Sequence, residues 1–111
     1  MPQVRTGPVR VSGYALKLRR AVNATLRDHY SKGELDSREV NDVVSEVNRS
    51  IYSVLVEKFE VPKEAVVNIV LEYEVGKGKF KVKDVIVDVY DRDDILSKNV
   101  TEEVRKALKS E

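Results

Sequence analysis

VRTGPVRVSGYALKLRRAVNATLRDHY, residues 4–30, decides how the chain is read. Apolar and polar residues alternate up to Ser12, and then the period becomes helical, which predicts a strand that delivers a helix. Val4, Val9 and Val11 are the apolar members of the strand, interrupted by Gly7 and Pro8. Proline has no backbone N–H for a sheet ladder, so this strand belongs at a sheet edge or begins only at Val9. Ser12 is placed to cap the helix, and Gly13 permits a close turn. From Tyr14 to Tyr30, residues Tyr14, Leu18, Ala21, Val22, Thr25 and Leu26 recur at intervals of three and four and define one buried face. Lys17, Arg20, Ala24 and Arg27 form an adjacent stripe with Arg19 and Asn23 beside it, and Arg10 on the preceding strand extends the row. Arg5, Arg10, Lys17, Arg19, Arg20 and Arg27 are balanced by one acid in this stretch, Asp28.

Working outward, Ser31, Lys32 and Gly33 break the helix, with Gly33 suited to a left-handed terminal position. Asp36 or Ser37 caps a longer helix running to about Phe59, and Glu39 in its first turn suits the helix dipole. Its apolar stripe is Val40, Val43, Val44, Val47, Ile51, Val54, Leu55 and Phe59; Tyr52 and Val56 widen it toward either a sheet edge or a partner subunit. Pro62 ends this helix, and Ala65 to Val75 reads as a strand with Val67, Ile69, Leu71, Tyr73 and Val75 on one face. A turn centred on Gly76 and Lys77 would place Tyr73 opposite Phe80 and Glu74 opposite Lys79. Along Lys79 to Tyr90 the alternation changes phase, which predicts a bulge near Lys83 or Asp84. An acidic loop, Asp91 to Asp94, precedes a short last helix from about Thr101 to Ser110, with Thr101 as its cap. The fold class is therefore α+β: a small antiparallel sheet, an edge strand plus a β-hairpin, packed against two main helices, with a short C-terminal helix.

The 111 residues fit a single domain, 1–111, with a real core, and 41% hydrophobic residues exclude a disordered chain. Charged residues reach 35%, against roughly 25% in an average globular domain. With no Cys, one Met and a single Gln, that surface points to ion-pair networks and a thermophilic source. A chain with no Cys and only His29 offers neither a disulfide framework nor a zinc cluster, and no metal or cofactor is expected. No signal-like segment or bilayer-length apolar run is present, so the expected location is cytoplasmic, without a membrane partner. The net charge of +1 conceals an asymmetry: residues 1–33 hold seven Lys or Arg to one acid, whereas residues 34–64 hold four to eight. A local basic patch of this kind attracts polyanions whatever the total.

Two readings of the cluster stand side by side. The cations bind phosphates while Tyr14, with Tyr30 or Tyr52, stacks bases, as single-stranded nucleic acid requires; or the arginines pair with acids of the second helix such as Glu39, Asp42 or Glu46. Lys77, Lys79, Lys81 and Lys83 share a strand face and either wall a groove or protect a sheet edge against Glu72 and Glu74. Asp88, Asp91, Asp93 and Asp94 lack the spacing of a calcium loop, GKGKF lacks a Walker motif, and His29 has no nucleophile to serve.

At RTGPVRVSGYALKLRR, residues 5–20, the sequence resembles the opening of the archaeal ThermoDBP-related proteins, a family of single-stranded nucleic-acid-binding proteins of hyperthermophiles. Thr6 and Gly7 before a short strand, Gly13, Tyr14 and Ala15 at the junction, and Lys17, Arg19 and Arg20 in the helix carry the resemblance. It implies an α+β domain that self-associates and takes a single strand in an apolar and aromatic cleft flanked by basic groups. Arg5, Tyr14, Lys17, Arg19 and Arg20 are the contacts it implies. The tail after Thr101 is too short for a long zipper, so a dimer is expected to use other surfaces. The expected function is non-enzymatic binding of single-stranded DNA or RNA by a homodimer or higher homo-oligomer. The alternative is a protein-interaction or assembly module whose arginines serve ion pairs.

Overall fold

The computed structural model describes residues 2–90 and 94–109. Strands β1 (Gln3–Arg5) and β2 (Val9–Arg10) lead through a 3₁₀ turn at Val11–Gly13 into α1 (Tyr14–Thr25) and α2 (Arg27–Ser31). Helix α3 (Ser37–Tyr52) continues as a π-helical segment, Ser53–Lys58, and is followed by β3 (Val66–Gly76), β4 (Lys79–Tyr90) and α4 (Asp94–Lys109). All strand pairings are antiparallel: β3 is central, with β4 on one side and the β1–β2 segment on the other.

The edge strand is a single run broken at Gly7–Pro8, and Thr6 repairs the break. Its N–H donates to the Ile69 carbonyl at 2.9 Å, and its buried Oγ1 accepts from the Ile69 N–H at 3.0 Å. A side-chain oxygen thus replaces a ladder carbonyl, and Gly7 takes a φ of 71° that residues with a Cβ seldom adopt.

The hairpin register differs from the one expected. Lys77 and Gly78, with φ of 54° and 74°, are the turn's central residues, so Val75 faces Phe80, Glu74 faces Lys81 and Tyr73 faces Val82. Positive φ at both central positions is the hairpin turn whose twist matches its strands. Moving the centre by one residue shifts the register by two, so every side chain keeps its face. Tyr73 and Phe80 still touch, diagonally, with ring centroids 5.4 Å apart. The bulge falls where the phase change placed it: Tyr73 pairs with Val82 and Glu72 with Asp84, leaving Lys83 as the extra residue. Val85, Val87 and Val89 are thereby returned to the face of Leu71, Ile69 and Val67.

Tyr14, Leu18, Val22 and Leu26 bury the α1 side, but Thr25 is exposed because α1 ends there and the chain restarts at Arg27. Ser12 makes no cap; the 3₁₀ turn takes that place, its Val11 and Ser12 N–H groups donating to the Ala65 and Lys63 carbonyls. Gly33, at φ 73°, closes α2: its N–H donates to Tyr30 O and that of Glu34 to His29 O, the paired bonds of a Schellman motif. Asp36 caps α3, accepting from the Arg38 N–H at 2.9 Å. Phe59, expected in the buried stripe, is 66% exposed, at the C-cap of the π-helical segment.

The C-terminal helix starts at Asp94, not Thr101, and spans 16 residues; the Thr101 hydroxyl donates back to the Ser97 carbonyl at 2.7 Å instead of capping. Of the acidic loop expected at Asp91 to Asp94, the first three residues lie outside the described residues and Asp94 begins the helix. No described residue of α4 joins the core, and Leu96, Val100, Val104 and Leu108 form an exposed apolar stripe. The radius of gyration is 18.5 Å, against about 13 Å for a compact domain of similar length, because α4 projects from the rest.

Candidate nucleic-acid interface

Helices α1 and α3 pack antiparallel over the sheet, and the seam between them is polar. The Asn41, Ser45, Asn48 and Tyr52 stripe of α3, at spacings of four, three and four, lines it. Arg19 reaches across from α1: Nη1 donates to the Asn41 carbonyl at 3.2 Å and to Asn41 Oδ1 at 2.9 Å, and Nη2 donates to Ser45 Oγ at 2.7 Å. Asn23 and Asn41 exchange amide hydrogen bonds at 2.9 and 3.2 Å, and the Tyr30 hydroxyl donates to Asn23 Oδ1 at 2.7 Å. At the other end Tyr14 is only 4% exposed and its hydroxyl donates to the Asn48 carbonyl at 2.8 Å. Tyr14 is thus a core residue with no ring face open to a base. Tyr52, four residues beyond Asn48, is 51% exposed at the same end of the seam.

Burial, and to a lesser degree Tyr52, raises the Tyr14 pKa above 10.0, and burial raises that of Tyr30. Both shifts are upward in the folded state, so the unfolded chain ionises first. The stability these groups contribute is complete below about pH 10 and is lost as pH rises through the folded-state values. Tyr14→Phe is expected to reduce that alkaline loss in a series of thermal melts, while costing about 1 kcal/mol at neutral pH for the missing hydrogen bond.

The cations of the first third divide between two layers. Lys17, Arg20 and Arg27 are exposed on α1 and the start of α2, with Arg19 half-buried beside them. Arg5 sits opposite Val70 and Arg10 opposite Val66, partners that share the sheet face turned away from Val67, Ile69 and Leu71. Arg5 and Arg10 therefore stand on the far side of the sheet from α1, and Arg10 does not extend the helical row; the strand's two-residue period overrides proximity in sequence. Among the described residues none of these six cations forms an ion pair. Glu46, a partner the ion-pair reading offered them, pairs with Arg49 at 2.8 Å. Of the hairpin lysines, Lys83 has its Nζ 3.2 Å from Glu74. His29 Nδ1 lies 2.7 Å from Glu34 Oε2 at the end of α2, a helix-end contact.

On the opposite flank of α3 from α1, an apolar groove of about 860 Å³ opens between the π-helical segment and β4, lined by Val47, Val54, Phe59, Val85, Val87 and Val89. Its charged lining residues are Glu46 and Glu60. The sequence marked this place only through the excess apolar residues at the end of α3. Among the described residues no grouping of His, Cys, Asp and Glu suited to a metal ion occurs, and no helix is long and apolar enough to cross a membrane.

Two helices on one face of an antiparallel sheet, with a polar seam between them and cations along α1 that form no ion pair among the described residues, make a small α+β domain. Residues 4–81 match the sequence model of ThermoDBP-related proteins of archaea, and the chain belongs to that family. The crystal structure of apeThermo-DBP-RP2 bound to ssDNA dT10 has a TM-score of 0.84 and 32% identity, covering 98% of this chain and 52% of that one. That of pfuThermo-DBP-RP1 has a TM-score of 0.72 and 29% identity over 98% of this chain and 74% of the other. The chain thus spans about half the length of the first relative. No curated protein sequence matches significantly.

Proposed function

We propose that this chain is a single non-enzymatic domain that binds single-stranded DNA or RNA in the cytoplasm along the α1–α3 seam. The carrying observation is that Lys17, Arg19, Arg20 and Arg27 lie on one helical layer with no acid paired to any of them among the described residues. Phosphates run along these cations, and Tyr52 supplies the flat surface for a base. Arg5 and Arg10, on the far sheet face, add to the positive field that draws a strand in. The ssDNA-bound neighbour supports the reading, as does family membership.

Four phosphate contacts on a single strand correspond to a slope of roughly −3 for log affinity against log salt. Fluorescence anisotropy of a labelled oligothymidine, titrated across salt, measures it. Tyr52→Ala is expected to weaken binding by about 1–3 kcal/mol, leaving the salt slope unchanged because stacking releases no counterion. A slope near zero in the parent protein would contradict the assignment, and competition with RNA and duplex of equal length ranks the partners. The same chain self-associates through the α4 face that carries Val100, Val104 and Leu108, each more than half exposed. That helix is longer than the tail after Thr101 suggested, and sedimentation with and without Val100→Lys and Val104→Lys tests it.

A further inference from the structure

Arg19 differs from the other cations of its helix in being held. Its Nη1 bonds to two oxygens of Asn41 and its Nη2 to Ser45, so α3 fixes the guanidinium plane from one edge. The acceptors are a backbone carbonyl, an amide and a hydroxyl. Each orients the guanidinium, and none neutralises it. Asn41 is fixed in turn, its Nδ2 donating to the Ser37 carbonyl at 2.7 Å and to Asn23 Oδ1 at 3.2 Å. Asn23 is tied to Arg19 O at 2.9 Å and receives the Tyr30 hydroxyl. A guanidinium has five N–H donors, and among the described residues Nε and the second Nη2 hydrogen have no partner. Those two donors lie side by side at a spacing that matches two oxygens of one phosphate.

We propose that Arg19 is a preset phosphate anchor, and that Asn41 and Ser45 are positioning residues that hold it in place while leaving its charge uncompensated. This deepens, and rests on, the single-strand reading above. A mobile surface arginine must lose about 2 kcal/mol of rotamer freedom when it grips a phosphate; here much of that ordering precedes the ligand. The neutrality of the acceptors matters as much as their geometry. A carboxylate at either position would hold the side chain equally well but cancel the field it offers to the strand.

The test places a carboxylate at each position in turn. Asn41→Asp and Ser45→Asp are expected to weaken oligothymidine binding about fivefold at 0.1 M salt and to move the slope from roughly −3 to roughly −2, the loss of one contact. Ser50→Asp, on the groove flank of the same helix, adds the same charge and is expected to leave the slope at its parent value. Ser45→Ala, which removes one hold without adding charge, is expected to keep the slope while lowering affinity. Thermal melts of all four establish folding, and two independent carboxylate positions guard against one failing to fold. A parent that binds while both carboxylate variants keep its slope, or a Ser50→Asp slope that changes as theirs do, overturns this inference alone. A parent that binds no strand overturns it together with the function it rests on.

Discussion

A variant carrying Lys17→Ala, Arg20→Ala and Arg27→Ala is expected to bind oligothymidine on the order of 100-fold more weakly than the parent at 0.1 M salt, with an unchanged fold. Each phosphate contact on a single strand contributes about 0.7 to the salt slope, so three lost contacts remove about two logarithmic units at that salt. The slope itself should drop from roughly −3 to roughly −1, because only Arg19 remains. Stability should hardly change: the three side chains are exposed, form no ion pair among the described residues, and alanine favours a helix at least as well as Lys or Arg. Anisotropy across salt, alongside circular dichroism melts, separates the two effects. A loss of affinity with an unaltered slope would assign the binding energy to something other than phosphate contact.

Leu18→Ala should do the opposite, removing stability and sparing the interface until the protein unfolds. Leu18 is fully buried on α1, in the cluster that includes Val22, Val44, Val67 and Ile69. Truncating a leucine in such a core forfeits its transfer energy and leaves a cavity, about 2–5 kcal/mol together. For a domain near this size each kcal/mol lowers the melting temperature by about 4–8 °C, so a fall on the order of 10 °C or more is expected. The same change at exposed Leu16 should cost well under 1 kcal/mol. Chemical denaturation of the pair measures the contrast between neighbouring leucines on one helix.

Much of this architecture was legible because the sequence patterns are strong where burial is strong. The alternation from Val67 to Val75 and the phase change after Val82 located β3, β4 and the Lys83 bulge, since a two-residue period leaves no other way to keep valines inward. Gly33 and Asp36 marked helix ends through chemistry that operates locally. The turn centre was misplaced because Gly76, Lys77 and Gly78 offer two glycine-bearing centres, and the twist of the strands chooses between them. The start of α4 was hidden by its isolation: with no core to face, its residues have no burial pattern to announce them beyond the stripe itself.

The proposed binding surface was less legible than the fold. Residue types identified the cations but not their layers, and Arg5 and Arg10 could be assigned to the far sheet face only from cross-strand register. Tyr14 begins the helix and reads as a ligand for bases, yet its hydroxyl is occupied by α3. Tyr52 carried the clue in its spacing from Asn41, Ser45 and Asn48, which becomes visible once the seam is known. The Asn41 and Ser45 hold on Arg19 depends on a helix pairing that no local pattern encodes.

The repaired break at Gly7–Pro8 has a further consequence for how this molecule avoids its own kind. A sheet grows when a foreign strand finds an unbroken line of free donors and acceptors along its border. Here one border is cut after three residues by a proline that has no hydrogen to give, and the two-residue piece beyond it ends in a 3₁₀ turn. The other border carries a kink at Lys83 and a row of charged lysines. Neither border offers a foreign strand an unbroken template along its whole length, so the sheet is guarded against edge-to-edge growth at high protein concentration.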